Sequence, residues 1–155
     1  MPIPPFDKRG LLPPGKHSAS LGEFRRVLAY NDRRCELCSK LEQFVATELS
    51  HCAQGLSLTV GGSYLTDKPY PGDIETSLGL DLVNISSYAP ALIDMANNFQ
   101  QEHNRIKLQY EVDFYIYING MGNQFDMFFQ YVGPKTASAK GLDSLDSRGI
   151  LEVII

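Results

Sequence analysis

The sequence predicts a two-layer domain of mixed α and β structure, a short mixed sheet with helices packed on one face. Three observations predict it. Residues 56–60 and 106–118 alternate apolar and polar side chains, the period of a half-buried strand. Other stretches, behind cap signals at Ser20 and Asn31, repeat apolar residues at helical spacing. Helical and strand segments follow one another through 155 residues with no linker and no internal repeat, so a single domain over 1–155 with one core accounts for the chain.

Residues 1–17 are Pro-rich and read as irregular, with five of the nine prolines in the first 14 positions. Ser20 stands three residues before Glu23, the spacing of a capping box, ahead of a short helix carrying Phe24, Val27 and Leu28. Asn31 or Asp32 caps a longer helix, in which Leu37, Leu41, Phe44, Val45 and Leu49 form the apolar stripe and Gly55 is the stop. Leu56 to Val60 is a strand, ended by Gly61-Gly62-Ser63. From there to Gly72, the prolines Pro69 and Pro71 allow no more than a turn of helix. A second strand starts at Asp73 and reaches Leu80. Ser86 or Ser87 caps a helix with Pro90 in its first turn and Leu92, Met95, Ala96 and Phe99 as its stripe. Ile106 to Ile118 gives the strongest strand signal, turned by Gly120 and Gly122. Phe125 to Val132 fits either helix or strand, and Leu151 to Ile155 reads as a closing strand.

Composition narrows the function. The chain is 43% hydrophobic and 21% charged, ordinary for a globular protein. Its net charge of -4 supplies no field to draw in a long nucleic acid. No apolar run approaches the ~18 residues needed to cross a bilayer, and the N-terminal stretch lacks a signal peptide's apolar core, so the expected location is cytoplasmic with no membrane partner. Three cysteines read as reduced thiols. Cys35-x-x-Cys38, with His51 and Cys52 beyond it, lies along one helix and lacks the second ligand pair of a zinc site.

The parity of the strands carries the chemistry. From Asp73 onward, Ile74, Leu78 and Leu80 take one face, and Asp73 and Glu75 the other. In the 106–118 strand, the even positions are apolar and Asp113 falls opposite them. If the strands are neighbours, three carboxylates converge away from the helices and repel one another. A divalent cation, Mg²⁺ or Mn²⁺, resolves that conflict with an all-oxygen ligand set. A pair of such ions polarises a phosphoryl group and stabilises both the attacking and the leaving oxygen. Gly62-Ser63 ends the preceding strand, where glycine permits close backbone approach and a hydroxyl can hold phosphate. A solvated polar sheet face is the plainer account of the same carboxylates.

Gly62-Ser63, a nine-residue spacer, Asp73-x-Glu75 and Asp113 on a later strand resemble the DNA polymerase beta-like nucleotidyltransferase superfamily. Pro4-Pro5-Phe6, Leu12-Pro13-Pro14-Gly15-x-His17 and Asp67-Lys68-Pro69 resemble a little-characterised subfamily of short, stand-alone members. The resemblance implies metal-dependent transfer of a nucleoside monophosphate from a nucleoside triphosphate such as ATP to a protein, RNA-end or small-molecule hydroxyl. Ser63 would touch phosphate, Asp73 and Glu75 would bridge metals, and Asp113 would assist the acceptor side. The sequence departs from the family pattern with Glu at the second carboxylate and a Pro-rich spacer where larger relatives have a helix. A non-catalytic member of the same fold, acting as a nucleotide sensor or as a protein-binding partner in the manner of toxin–antitoxin pairs, is the alternative.

Lys68, Lys135, Lys140 and Arg148 are the cations available for triphosphate charge, with solvated loop charge as the other reading. Tyr115 and Tyr117 share the face of Asp113 and are candidates to stack a base, together with Tyr110 and the Phe125-Asp-Met-Phe-Phe129 segment; core packing is the commoner role. His17 either contacts phosphate or anchors the N-terminal segment, while His51 and His103 read as exposed residues near helix ends.

Overall fold

Local signals set the helical layer. Ser20 Oγ accepts from the Glu23 amide at 3.1 Å and the Glu23 carboxylate accepts from the Ser20 amide at 3.2 Å, so the capping box opens helix α1 (Leu21–Leu28). Such a cap stabilises by about 1 kcal/mol. The Asn31 side chain caps α2 (Asp32–Phe44), whose last turns continue as a π-helical segment, Val45–Leu49. The computed structural model describes residues 3–52 and 55–155. Phe24, Leu28, Leu37, Leu41 and Phe44 all point into one core.

Strands β1 (Gly15–Ala19), β2 (Ser57–Gly61), β3 (Ile74–Leu80), β4 (Val112–Ile118) and β5 (Gly149–Ile154) form a mixed sheet in the order β1-β5-β2-β3-β4. The closing strand is thus not at an edge: β5 runs parallel to β1 and antiparallel to β2. The β2–β3 pair is antiparallel, and β3–β4 is parallel, joined by helices α3 (Pro90–Asn97) and α4 (Phe99–Tyr110). Leu58, Val60, Ile74, Leu78, Leu80, Val112, Phe114, Leu151 and Val153 face the core shared with α1 to α4. The chain therefore has the mixed α/β architecture that its pattern predicted.

Four expectations need correcting. Residues 106–110 are the end of α4, not strand. Ile106 and Tyr110 are buried four apart, a spacing that fits both a strand and a helix, but Leu108 between them is 87% exposed. Glu111, at φ 53°, caps the helix in the left-handed conformation and lets β4 start at the next residue. Ser86 and Ser87 lie in a 3₁₀ segment, Leu82–Ser87, and α3 is capped by Ala89, with no side-chain cap and Pro90 in its first turn. The irregular N-terminal stretch ends early, because Gly15, Lys16 and His17 are already strand β1, with the His17 ring bonded to the Pro13 carbonyl at 2.8 Å. The face opposite the long helices is also partly roofed. Helix α5 (Phe125–Phe128) and Phe129 lie across it, Lys16 of β1 pairing with Asp126 at 2.9 Å. The remaining helix, α6 (Pro134–Lys140), packs Ala137 with Leu11 and Val132 in a small second cluster.

Candidate functional site

The strand register aligns the predicted centre. Gly61 pairs with Glu75, and Glu75 pairs with Asp113, which gives a row across three strands on the face away from the main core. Neighbouring strands lie about 4.8 Å apart, so the Glu75 and Asp113 side chains start close together. Asp73 precedes β3 by one residue and shares its face with Glu75. The next row, Thr59, Ser77 and Tyr115, leads under the aromatic roof.

Each carboxylate meets a different environment. The Lys107 ammonium binds Asp73. Asp113 accepts from the Tyr115 hydroxyl at 3.1 Å and faces His103 Nε2 at 3.0 Å. His103 Nδ1 donates to the Phe114 carbonyl at 2.9 Å, which orients the ring with Nε2 toward Asp113. Glu75 has no hydrogen bond or ion pair to any described residue. Burial raises its pKa, and the Asp73 and Asp113 charges raise it further, against the Arg148 and Lys107 cations. An unpartnered carboxylate between two others is the unusual feature of this face.

The Gly62-Ser63 turn is built against that carboxylate. Gly62 has φ 74°, and a Cβ there would lie 2.7 Å from Glu75 Oε2. Ser63 opens a 3₁₀ turn, Ser63–Leu65, and is half-buried. Two arginines hold the segment from beneath. Arg148, 2% exposed, donates to the Gly62 carbonyl at 2.9 Å and the Leu65 carbonyl at 3.1 Å. Arg34, fully buried between the Tyr30 and Tyr64 rings, donates to the carbonyls of Tyr64, Thr66 and Lys68. Burial lowers the pKa of both; Arg148, at about 10, still carries its charge at neutral pH. Neither forms an ion pair with a carboxylate among the described residues; Arg148 lies near enough to Glu75 for the two charges to interact, and Arg34 is held by backbone carbonyls alone. That setting favours an anion on the turn.

The other predicted residues are placed as follows. Arg148 is no solvated loop charge, since it sits beneath the turn. Lys140 pairs with Asp67 at 2.6 Å, and Lys68 and Lys135 are exposed. Tyr115 stacks on Phe125 at 4.5 Å with 16° between the rings and lies 4.8 Å from His103. Tyr117 is buried beside Phe125 and Tyr110 lies in the core, so none of the three offers an open ring to a base. Phe129 also occupies this face, its ring within 2.8 Å of where a Cβ on Gly61 would stand. Cys35, Cys38 and Cys52 are free thiols; Cys38 is buried, which pushes it up to about 12. His103 is neither terminal nor freely exposed, because α4 directs it at Asp113.

Among the described residues, no three His, Cys, Asp or Glu side chains stand together as a ready-made metal centre. The reason is visible in the contacts: Asp73 turns to Lys107, and Asp113 turns to His103 and Tyr115. The donor chemistry nonetheless fits a hard divalent cation. Three carboxylates share one face and the middle one has no protein partner. No helix among the described residues is long and apolar enough to cross a membrane.

A model of the family of unknown function DUF6932 matches residues 4–154, so the chain belongs to that family. No curated protein and no solved structure matches it.

Proposed function

We propose that this DUF6932 protein is a metal-dependent nucleotidyltransferase of the polymerase beta-like kind, moving a nucleoside monophosphate from a triphosphate to an acceptor hydroxyl. The observation that carries the reading is Glu75, a half-buried carboxylate without a protein partner, flanked by Asp73 and Asp113 and set against the Gly62-Ser63 turn. Asp73, Glu75 and Asp113 would hold Mg²⁺ or Mn²⁺. Such an ion supplies charge neutralisation at the phosphoryl oxygens and lowers the pKa of a bound hydroxyl.

The chain's own residues supply the rest. Gly62 lets the turn pack against Glu75, and the Ser63 hydroxyl beside it donates to a phosphate oxygen. Arg34 and Arg148 fix the turn and lend it positive potential. Asp113 stands at the acceptor side, where its carboxylate, oriented by His103 and Tyr115, takes the hydroxyl proton. The new bond joins the acceptor oxygen to the α-phosphorus, and pyrophosphate leaves. The aromatic roof fills the sheet beyond Tyr115, which confines the substrate to the end of the sheet near Gly62 and Asp73.

The test is label transfer. The protein is incubated with each α-labelled nucleoside triphosphate, Mg²⁺ or Mn²⁺, and host lysate. A labelled acceptor is expected with wild type and not with Glu75→Gln. A non-catalytic, protein-binding role is the second reading, favoured by Leu82, Val83 and Ile85, which stand exposed together after β3 with Val83 91% accessible. No transfer, combined with no response to metal or nucleotide, would select it.

A further inference from the structure

One group at the site has no role in the reading above. Lys107 comes from the last turns of α4, reaches the carboxylate of Asp73, and is 42% exposed along its side chain. His103 lies one helical turn before it and meets Asp113. A single helix face therefore presents an ammonium and an imidazole to two of the three carboxylates, and leaves only Glu75 bare.

Charge counting shows what this arrangement requires. Asp73, Glu75 and Asp113 carry up to three negative charges; Lys107 and the buried Arg148 return two of them. A divalent cation on the same carboxylates reverses the local sign, and it competes for the Asp73 carboxylate, whose Oδ2 Lys107 now holds. The ammonium must then leave Asp73, and the excess positive charge needs an anion. Lys107 hangs on a flexible stem at the exposed rim, so it can turn outward without disturbing α4.

Resting on the nucleotidyltransferase reading, we propose that Lys107 is a partner-exchanging residue: it neutralises Asp73 in the metal-free protein and binds the phosphate chain of the nucleoside triphosphate once metal has taken Asp73. Metal and triphosphate then bind cooperatively, because each removes a penalty that the other creates. Metal alone binds weakly, against an internal competitor. A triphosphate arriving with its metal supplies the new partner for Lys107.

The exchange makes two predictions of opposite sign for one substitution. Mn²⁺ binding is measured by electron paramagnetic resonance, and binding of α,β-methylene-ATP at saturating Mn²⁺ by calorimetry. In Lys107→Met, which keeps the aliphatic stem, Mn²⁺ alone should bind about threefold to fivefold more tightly, since a competing ion pair is gone. The analogue should bind about tenfold more weakly, for loss of a charge-assisted phosphate contact. Lys107→Gln should repeat both changes, and Lys107→Arg should restore the wild-type pattern within about twofold. Wild type binding both probes, with Lys107→Met and Lys107→Gln leaving both affinities unchanged, overturns the exchange and leaves the nucleotidyltransferase reading intact. Mn²⁺ binding weakened in either variant also overturns it, since Lys107 would then support the metal site. Wild type binding neither Mn²⁺ nor the analogue overturns both.

Discussion

Glu75→Gln probes the site without any substrate. In the folded protein the Glu75 pKa lies above its ordinary 4.5, through burial first and then the Asp73 and Asp113 charges. Folding therefore takes up a proton in the window above 4.5, and stability falls as pH rises through it. Removing the ionisable group should remove that loss. Two charges about 6 Å apart at an effective dielectric of about 20 repel by roughly 3 kcal/mol. Lys107 and Arg148 offset part of this, which leaves a net gain of about 1–2 kcal/mol for Glu75→Gln in metal-free protein at mildly alkaline pH. At this chain length each kcal/mol moves the unfolding midpoint by about 2–4 °C. Thermal unfolding in the presence of a chelator, from about pH 5 to about pH 8, should show the variant above wild type with a gap that widens upward. Added Mn²⁺ should reverse the order, since a ligand at a hundredfold excess over its Kd stabilises wild type by about 2.7 kcal/mol and the variant by much less. A variant less stable than wild type at mildly alkaline pH, or a gap independent of pH, would refute the idea that Glu75 is held under repulsion.

Further outcomes follow from single contacts. Gly62→Ala should cost about 1–3 kcal/mol in urea denaturation, because a side chain at φ 74° is strained and its Cβ would meet Glu75. Glu111 is held down to about 2 by Arg33 and Lys40, so its contribution is complete above its ordinary 4.5 and disappears as pH falls toward that lower value. Partial exposure screens these pairs, so Glu111→Gln should cost only about 1 kcal/mol near neutrality and nothing measurable at about pH 2. Cys38, buried and pushed up to about 12, should resist iodoacetamide in native protein and react on unfolding, as read by mass spectrometry.

Where the pattern was unambiguous, elements were readable to within a residue or two. Ser20 with Glu23 marked α1, the 56–60 alternation marked β2, and parity put Asp73 and Glu75 on one face of β3. Strand order was not readable. Nothing local in Leu151 to Ile155 says that it lies between β1 and β2, because that position is set by pairing with residues more than ninety and more than a hundred and thirty positions away. The roof was hidden for a similar reason. Phe125 to Phe129 reads as core anywhere, and only Gly61, lacking a Cβ, marks the surface it packs on.

The site residues beyond the carboxylates were hidden by one ambiguous spacing. Ile106 and Tyr110 satisfy a period of two and a period near four equally, and extending the strand upstream made the pattern look longer and stronger. As a strand, Lys107 would share the face of Asp113 yet stand about 20 Å from it, with no bearing on the carboxylates. As the end of α4, the same residue folds back to Asp73, and His103 one turn earlier meets Asp113. A usable signal did exist: residues 99–107 hold a dense run of helix-compatible polar residues, Gln100, Gln101, Glu102, Arg105 and Lys107, with Arg105 three residues after Glu102 and paired to it at 2.6 Å. Length settles such cases, since thirteen residues is long for a strand and normal for a helix followed by a strand. Placing that boundary at Glu111 changes the chemistry as well as the fold. It turns an all-acidic face into one where a helix meets two of the three carboxylates, Lys107 at Asp73 and His103 at Asp113.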